Sequence, residues 1–575
     1  MGIPAKPTRA PKSYLGLDLS TQSLTLTLLS QPSNSAFAVE TFTTSVNFEK
    51  DCGDSGLGDD GTQDASVWLK AFDLLSERLR SNKVWDRLRS TVVAVSFSAQ
   101  QHGTCWMRSP SSVPFPSSSF SEFKDLFATT TSPIWLHSLA SGMLEEMNVE
   151  HPSASLPTGC ALTSRFSGPV IAYYLRNKKD VYDASSRIML ITEFMLYMCT
   201  GKDFSVIDES DAAGTNMFDL EKRAWCSEVC SVLFGDKEDE VRAKVASTVC
   251  TGTHVLGKPC SFFAEKMGIP ETATVVIGTG DNPSSFCSSK LARNELIISL
   301  GTSDTVLGLV PSLTSKTSTT LSNFRDPRTS SSYVRMLCFS NGGKLRESYC
   351  QKYASHSWKS FSESAQKHST QWNLHCSVPE ITPSLPPGLY TSGPIPPPLQ
   401  IPTLIKTRVH SMYLHSLRCS MHDSSISRVL VTGGGSQSEG ILKEISRVFG
   451  CSVYVQDGSS GGASYGAAVR AMHGREKVER GGSFNEICGK TVERGWRKFC
   501  EEEGVGEEEA IRVREDYARF EDSIVARCRS SEEAEGRKED NAKSDEGNGG
   551  SWWIGAGLAV VVGIGVYFWV KRGKK

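Results

Sequence analysis

Five short apolar runs in this 575-residue chain each end in a polar turn whose residue types suit phosphate and hydroxyl chemistry. YLGLDL carries Asp18 and leads into Ser20, Thr21 and Gln22, and TVVAVSF leads into Gln100, Gln101 and His102. VVIGTGDNPSSF carries Asp281 and Asn282, ELIISLGTSD carries Gly301, Thr302 and Ser303, and RVLVTGGGSQSEG carries Gly433, Gly434, Gly435 and Ser438. Glycine lets a backbone approach closely, and consecutive peptide N–H groups hold phosphate oxygens without a cationic side chain. Gly16, Gly301 and Gly433 to Gly435 are the candidates for that role, although simple turn formation accounts for any one of them taken alone. Together the turns suggest a cleft that serves phosphate and a hydroxylated substrate. No GxxxxGK[ST] loop is present, so these residues by themselves leave open a kinase, a dinucleotide enzyme or a nonenzymatic sugar binder.

The elements that must position these turns are legible in the hydrophobic pattern. From Tyr14 the alternation predicts a strand, a turn over 18–22 and a return strand. Residues 65–79 show apolar positions at helical intervals, and 91–97 read as a buried strand from whose end SAQQHG emerges. The two runs at Val275 and Glu295 place strands before glycine-containing turns, and 428–450 reads as strand, glycine turn and amphipathic helix. The pattern predicts an α/β protein of two large domains. Residues 109–131 and the proline-rich 379–402 read as surface loops, since proline disrupts helix and central strand alike.

The ordered set DLSTQS, SAQQHG, SPIW, SDAAGTNMFDL, GTGDNPSSF, SLGTSD and VTGGGSQSEGIL resembles the carbohydrate kinase family that contains glycerol, gluconate and xylulose kinases, most closely its xylulose kinases. The resemblance spans about residues 14–475 and implies two actin-like ATPase domains, 14–290 and 291–475, with ATP and sugar meeting in a cleft between them. It implies ATP-dependent phosphorylation of D-xylulose to D-xylulose 5-phosphate, with a small-molecule sugar as partner and ATP and Mg2+ as cofactors. The alternatives are a kinase for another sugar or polyol, and a noncatalytic, membrane-tethered carbohydrate binder or scaffold. The family's catalytic base falls on Asp281, whose carboxylate would accept the proton of the attacking hydroxyl. A turn-capping Asp is the ordinary alternative. Gln101, His102, Arg165 and Asn282 fall on sugar-contacting positions, with Gln100 framing the pocket. Histidine suits polyol recognition because either ring nitrogen can donate or accept. Asp18 falls on the residue that organises magnesium and nucleotide, the ion preferring oxygen ligands including water. Ser20, Thr21, Gln22, Gly301, Thr302 and Ser303 fall on the phosphate turns, and Gly433, Gly434, Gly435 and Ser438 on the adenosine side; Trp358 is a candidate adenine contact, with a core or surface-anchor tryptophan as the alternative.

Two positions depart from the family pattern. His137 in WLHS stands where WMDS is more common, replacing an acidic side chain, and Ser438 stands where asparagine is frequent. The first would change a local contact in the sugar half, and the second would remove an amide contact to adenosine.

Composition sets the remaining bounds. Lysine and arginine number 62 against 64 acidic residues, a formal net charge of -2, so no bulk positive field or basic, aromatic stripe argues for nucleic acid. The 17 cysteines lack repeated CxxC pairs and the histidines lack zinc spacing, which argues for a reduced compartment and against a zinc or hydrolase site. Residues 1–13 read as a polar leader and 476–551 as a charged extension and flexible spacer. Residues 552–570, WWIGAGLAVVVGIGVYFWV, contain no charge and precede a basic 571–575. A helix of this length rises about 28 Å, close to the roughly 30 Å bilayer core, so the expectation is a membrane helix. That reading puts the body in the cytosol, tail-anchored to an organellar outer membrane, with soluble cytoplasm as the alternative.

Overall fold

The computed structural model describes residues 10–109, 114–151, 155–313, 321–423, 425–456, 462–500 and 507–545. They fall into two compact units, one drawn from Met1–Ala292, Leu309–Arg335 and Gln456–Arg497, the other from Arg293–Gly308, Met336–Val455 and Lys498–Lys575. Each is an α/β unit with a mixed sheet, as the apolar runs predict.

In the first unit the strand Lys12–Leu19 lies at the middle of its sheet, antiparallel to Ser23–Gln31 and parallel to Val92–Ala99. Buried on both faces, it reads as a nearly continuous apolar run rather than an alternating one. Strand Val39–Asn47 extends the sheet on one side and Thr274–Val276 on the other. Helix Ala65–Arg80 begins where the Asp64 carboxylate accepts the Ser66 amide, and packs Trp68, Phe72 and Leu75 into the core beneath the sheet. Part of the expected 109–131 excursion joins that core. Phe120 and Phe123 are fully buried, and the Phe72 and Phe120 rings meet at 5.1 Å, because three aromatic or aliphatic side chains in one short helical turn outweigh the polar flanks.

The opposite face of the sheet is covered by helix Gly462–Arg480, from much later in the chain. A Cβ on Gly16 would stand 2.1 Å from the Ser464 carbonyl oxygen, so this glycine permits helix-on-strand packing rather than a phosphate contact. The structure therefore divides the chain differently from a boundary at 290/291 followed by a second domain to 475. Residues 456–497 return to the first unit, where Tyr465, Ala468 and Met472 join Tyr14, Leu29 and Ala94 in one apolar cluster.

In the second unit strand Glu295–Leu300 is antiparallel to Asp304–Val310 and parallel to Arg428–Thr432, which in turn pairs in parallel with Ser452–Gln456. The proline-rich stretch is not simply a loop. Gly388–Thr391 pairs with Asn373–Cys376, Glu380 is buried, and helix Gln400–Arg418 starts inside it. Nor is the charged extension wholly a spacer, since Glu507–Asp545 is helical. Tyr517 and Ile524 of that helix are buried, and the Tyr517 ring lies 5.0 Å from that of Trp372. Glu521, buried, receives hydrogen bonds from Tyr517 and Ser411 and pairs with His415 at 2.8 Å. Apolar residues spaced for one helix face supply the driving force that the charged composition conceals.

The membrane expectation is corrected here. Among the described residues no helix is long and apolar enough to cross a membrane. Residues 552–570 and the basic 571–575, on which the tail anchor, the membrane partner and the organelle-surface location rest, lie outside the described residues.

Candidate active site

The sugar-side candidates Gln101, His102 and Asp281 and the metal candidate Asp18 sit at the carboxyl ends of neighbouring strands in the first unit. Parallel pairing sets Asp18 opposite Ser98 and Leu19 opposite Ala99, while Thr279 and Gly280 pair with Ser98 and Ala99. Asp18, Gln100 to His102 and Asp281 thus emerge along one edge of the sheet, the edge where open α/β sheets bind ligands.

Asp18 is 8% exposed and its Oδ1 is buried without a hydrogen-bond partner. Burial, reinforced by the Asp281 carboxylate, pushes its carboxyl up to about 7. An unsatisfied carboxylate oxygen of this kind is costly unless a cation or donor reaches it. Asp281 opens the helix Asp281–Cys287 and is half-buried. Its Oδ1 accepts the Asn282 amide at 2.7 Å and Asn282 Nδ2 at 3.0 Å. Burial raises its carboxyl to about 6 while the amides of Asn282 and Gln101 pull the other way, so it is ionised at neutral pH.

His102 has φ +73° and is buried, with its ring stacked on Phe166 at 4.1 Å and 18°. Its Nδ1 lies 2.7 Å from the Gly214 carbonyl oxygen. Burial, helped by the charge of Arg165, lowers its pKa to about 3, which keeps the ring neutral. A neutral imidazole facing a carbonyl must carry its proton on Nδ1, leaving Nε2 as an acceptor for a substrate hydroxyl. Arg165 lies against the same Phe166 ring, 6.0 Å from its centroid, and forms no ion pair among the described residues. Gln101 Nε2 reaches the Ser210 carbonyl oxygen at 3.5 Å.

The first turn has a different internal logic from the one its motif suggests. Ser20 Oγ donates to the Ser23 carbonyl and accepts the Ser23 amide, closing the turn on itself, and Gln22 is exposed. Thr21 Oγ1 donates to Gln100 Oε1 at 3.1 Å and accepts from Trp135 Nε1 at 2.9 Å. Gln100 Nε2 donates to Gln63 Oε1, which also receives Trp68 Nε1, both at 2.9 Å, and Gln63 Nε2 returns to the Thr21 carbonyl at 2.9 Å. Thr21, Gln63 and Gln100 form a closed buried network that fixes the Asp18 turn to the QQHG turn.

Gln63 and Trp68 carry no spacing signal in the sequence, and Trp135, though inside SPIW, has no role of its own assigned there. Asp211 lies in the SDAAGT segment, where the motif itself is the signal for it. It is buried, accepts from Thr192 Oγ1 and is pushed by burial up to about 8, so it keeps its proton at neutral pH. A Cβ on Gly280 would meet Gln101 Cγ at 2.3 Å and Asp211 Oδ1 at 3.0 Å, which puts both side chains against the residue before Asp281. His137 lies apart from this group, in WLHS. It is 1% exposed, wedged against Tyr173 and Tyr174, and neither ring nitrogen finds a partner with good geometry. Burial lowers its pKa to about 4.

The nucleotide-side candidates sit in the second unit, again at carboxyl ends of parallel strands. Ser299 pairs with Thr432, so the Gly301 and Gly433 turns leave the sheet side by side. Gly433 has φ +80° and a Cβ there would stand 2.7 Å from the Leu300 carbonyl oxygen. The Thr302 carbonyl accepts the Gly343 amide at 3.0 Å, and the Gly301 carbonyl accepts Arg346 Nη2 at 3.2 Å. Arg346 is itself held by both oxygens of buried Asp304, at 2.9 and 2.8 Å, through Nη1. Ser438 precedes helix Glu439–Phe449 without capping it, and its Oγ is buried with no partner. The Gly440 amide donates to Ser362 Oγ at 3.0 Å, which docks helix Trp358–Ala365 on the helix that follows the glycine motif. Trp358 is 54% exposed at the start of that helix, a ring open to stacking.

No group of three or more His, Cys, Asp or Glu among the described residues is placed to hold a metal ion. A hard divalent cation nevertheless fits at the orphaned oxygen of Asp18, because Mg2+ commonly keeps one or two carboxylates and fills its other positions with water and phosphate.

Two α/β units, each with turns of phosphate- and hydroxyl-binding type at the ends of parallel strands, define a sugar kinase of the two-lobed, actin-like class. Residues 134–287 match the N-terminal domain of the FGGY family of carbohydrate kinases. The chain is 32% identical over 504 residues to Xylulose kinase 2 of Arabidopsis thaliana, covering 80% of this chain and 87% of that one. Among solved structures it resembles gluconate kinase from Lactobacillus acidophilus, with TM-score 0.74, 15% identity and coverage of 91% and 100%. Ligand-bound xylulose kinase from the same organism gives TM-score 0.73, 15% identity and coverage of 90% and 99%. The chain belongs to the FGGY family of carbohydrate kinases.

Proposed function

We propose that this kinase transfers the terminal phosphoryl group of ATP to D-xylulose, giving D-xylulose 5-phosphate and ADP. The observation that carries the reading is the Asp281 carboxylate, ionised at neutral pH and set at a strand end beside Gln101, His102 and Asp18. The name of the Arabidopsis relative, at 32% identity over most of both chains, supports the choice of sugar.

Asp281 is the general base. It takes the proton from the terminal hydroxyl as that oxygen forms its bond to the γ-phosphorus and the bond from phosphorus to the β,γ-bridging oxygen breaks. His102 accepts a second substrate hydroxyl at Nε2, while Asn282, Gln101 and Arg165 supply donors that orient the sugar. Asp18 would hold Mg2+ through Oδ1, and the ion would neutralise charge between the phosphates. On the nucleotide side, Gly301, Thr302 and Ser303 would offer backbone and hydroxyl donors to phosphate, while Gly433, Gly434, Gly435 and Ser438 border the adenosine and Trp358 stacks on adenine. Thr21 and Ser20 support this arrangement from behind, their hydroxyls being used within the protein.

His137 favours one second reading, a different small sugar or polyol as acceptor. The residue replaces an acid with a neutral, buried ring, and a few altered pocket contacts change discrimination without altering the phosphate machinery. ADP formation by the purified protein, measured over a panel of ketopentoses, gluconate, glycerol and other polyols, decides between them. D-xylulose should have the highest kcat/KM, and any other acceptor ahead of it would reject the assignment. Asp281→Asn should lower kcat by about 10²–10⁴-fold, the usual worth of a general base, and a folded variant with full turnover would reject the role.

A further inference from the structure

The segment that leads into Asp281 is tied to a buried ion pair, Arg470 with Asp208. Helix Gly462–Arg480 packs backbone to backbone on the helix that Asp281 opens, since a Cβ on Gly466 would stand 1.7 Å from the Ser284 carbonyl oxygen. Ser284 Oγ closes the same contact by donating to the Ala463 carbonyl at 2.8 Å. One turn further along, Arg470 points into the protein. Its Nη2 donates to Asp208 Oδ1 at 3.0 Å and to the Ile277 carbonyl at 3.3 Å, with side-chain exposures of 2% for Arg470 and 0% for Asp208.

Asp208 spends its remaining capacity on the site. Its Oδ2 accepts Thr279 Oγ1 at 2.7 Å and the Ser210 amide at 3.1 Å. Thr279 is two residues before Asp281, and the Ser210 carbonyl is the acceptor for Gln101 Nε2. The Ile277 carbonyl, also gripped by Ser96 Oγ at 3.0 Å, fixes the start of the same segment. The segment 277–280 is therefore anchored at its start by Arg470 and near its end by Asp208, and the two anchors are one ion pair.

We infer that Arg470, acting through Asp208 and Thr279, is a positioning residue for Asp281. The inference rests on Asp281 being the base. A buried pair of this kind is poor evidence for stability, because two well-packed apolar side chains would serve as well. What apolar side chains cannot supply is a directional hold on the Thr279 hydroxyl and the Ile277 carbonyl, and displacement of a reacting group by about 1 Å costs about a hundredfold in rate. Turnover, rather than substrate affinity, should depend on Arg470.

The test uses the full chain and compares Arg470→Lys, Thr279→Val, Thr279→Ser and Asp281→Asn with the parent. Each is assayed for kcat, for KM toward D-xylulose and ATP, and for thermal unfolding. Arg470→Lys and Thr279→Val should lower kcat by about ten- to a hundredfold while both KM values stay within about threefold, the mark of a contact felt in the transition state. Thr279→Ser, which keeps the hydroxyl, should recover most of the rate. Should Arg470→Lys fail to fold, the Thr279 pair carries the test alone. A folded Arg470→Lys or Thr279→Val with parental kcat, alongside an inactive Asp281→Asn, would overturn the inference, as would a loss confined to KM or a Thr279→Ser no better than Thr279→Val. Turnover persisting in Asp281→Asn would reject the base, a separate failure visible in that variant.

Discussion

Replacing Asp18 by asparagine should stabilise the protein while stopping its chemistry. The carboxyl is buried, one of its oxygens has no partner, and its pKa is pushed from the ordinary 3.8 up to about 7 by burial and by the Asp281 charge. Between those two pH values the folded chain keeps a proton that the unfolded chain has released, so stability falls as pH rises through the window and the penalty is complete above about 7. About three pH units at about 1.4 kcal/mol each come to about 4 kcal/mol at most. The neutral amide of the D18N variant carries no charge and escapes this cost at every pH. Chemical denaturation of parent and D18N, in metal-free buffer without nucleotide, should give near-equal stability at about pH 4, the unfolded carboxyl's own range. The gap should then widen in favour of D18N to a few kcal/mol by about pH 8, while ADP formation is lost in the variant. A gap independent of pH, or a D18N protein less stable than the parent at the alkaline end, would refute the account of Asp18 as a carboxylate kept at a cost for its ligand. Magnesium added to the parent should recover part of the difference, because a cation bound only to the folded state stabilises it.

Three further outcomes follow from the same geometry. The kcat/KM for sugar should fall below about pH 7 with an apparent pKa between about 6 and about 7, since Asp281 and Asp18 titrate there as interacting carboxyls. A flat profile from about pH 5 to about pH 8 would contradict it, and His102, at about 3, adds no limb in this range. Gly214→Ala would set a Cβ 2.9 Å from His102 Nδ1, so the ring must move and KM for sugar should rise about tenfold, the worth of one good hydrogen bond. An unchanged KM would remove His102 from the pocket. Trp358→Ala, at a position 54% exposed, should leave stability within about 0.5 kcal/mol and raise KM for ATP about tenfold, as lost stacking does. Unchanged nucleotide affinity would mark Trp358 as a surface residue only.

Much of this architecture is legible in the sequence because strand ends are local. An apolar run followed by a glycine or an acidic turn announces itself within about ten residues, and the turns at Asp18, Gln101, Asp281, Gly301 and Gly433 all lie at strand or helix ends of this kind. The supports are another matter. Gln63, Asp208, Arg346 and Arg470 act through partners that stand 37, 71, 45 and 193 positions away, so no window of sequence contains both ends of the bond. The return of helix Gly462–Arg480 to the first unit escapes the same way. Its low amphipathicity reflects burial on several faces, against the first sheet and the Asp281 helix together, and a helix buried on several sides offers no single stripe to read.

The two histidines of the sugar half show how burial, rather than residue type, assigns a role. His102 and His137 are both buried and both held neutral, at about 3 and about 4. His102 has its Nδ1 on the Gly214 carbonyl and its ring on Phe166, which fixes the tautomer and leaves a single acceptor for the substrate. His137 packs against Tyr173 and Tyr174, and neither ring nitrogen has a hydrogen-bond partner of good geometry. An aspartate in that tyrosine-lined space would have to ionise against burial or remain protonated, whereas a neutral imidazole fills it at lower electrostatic cost. The histidine of WLHS is thereby tolerable to the fold.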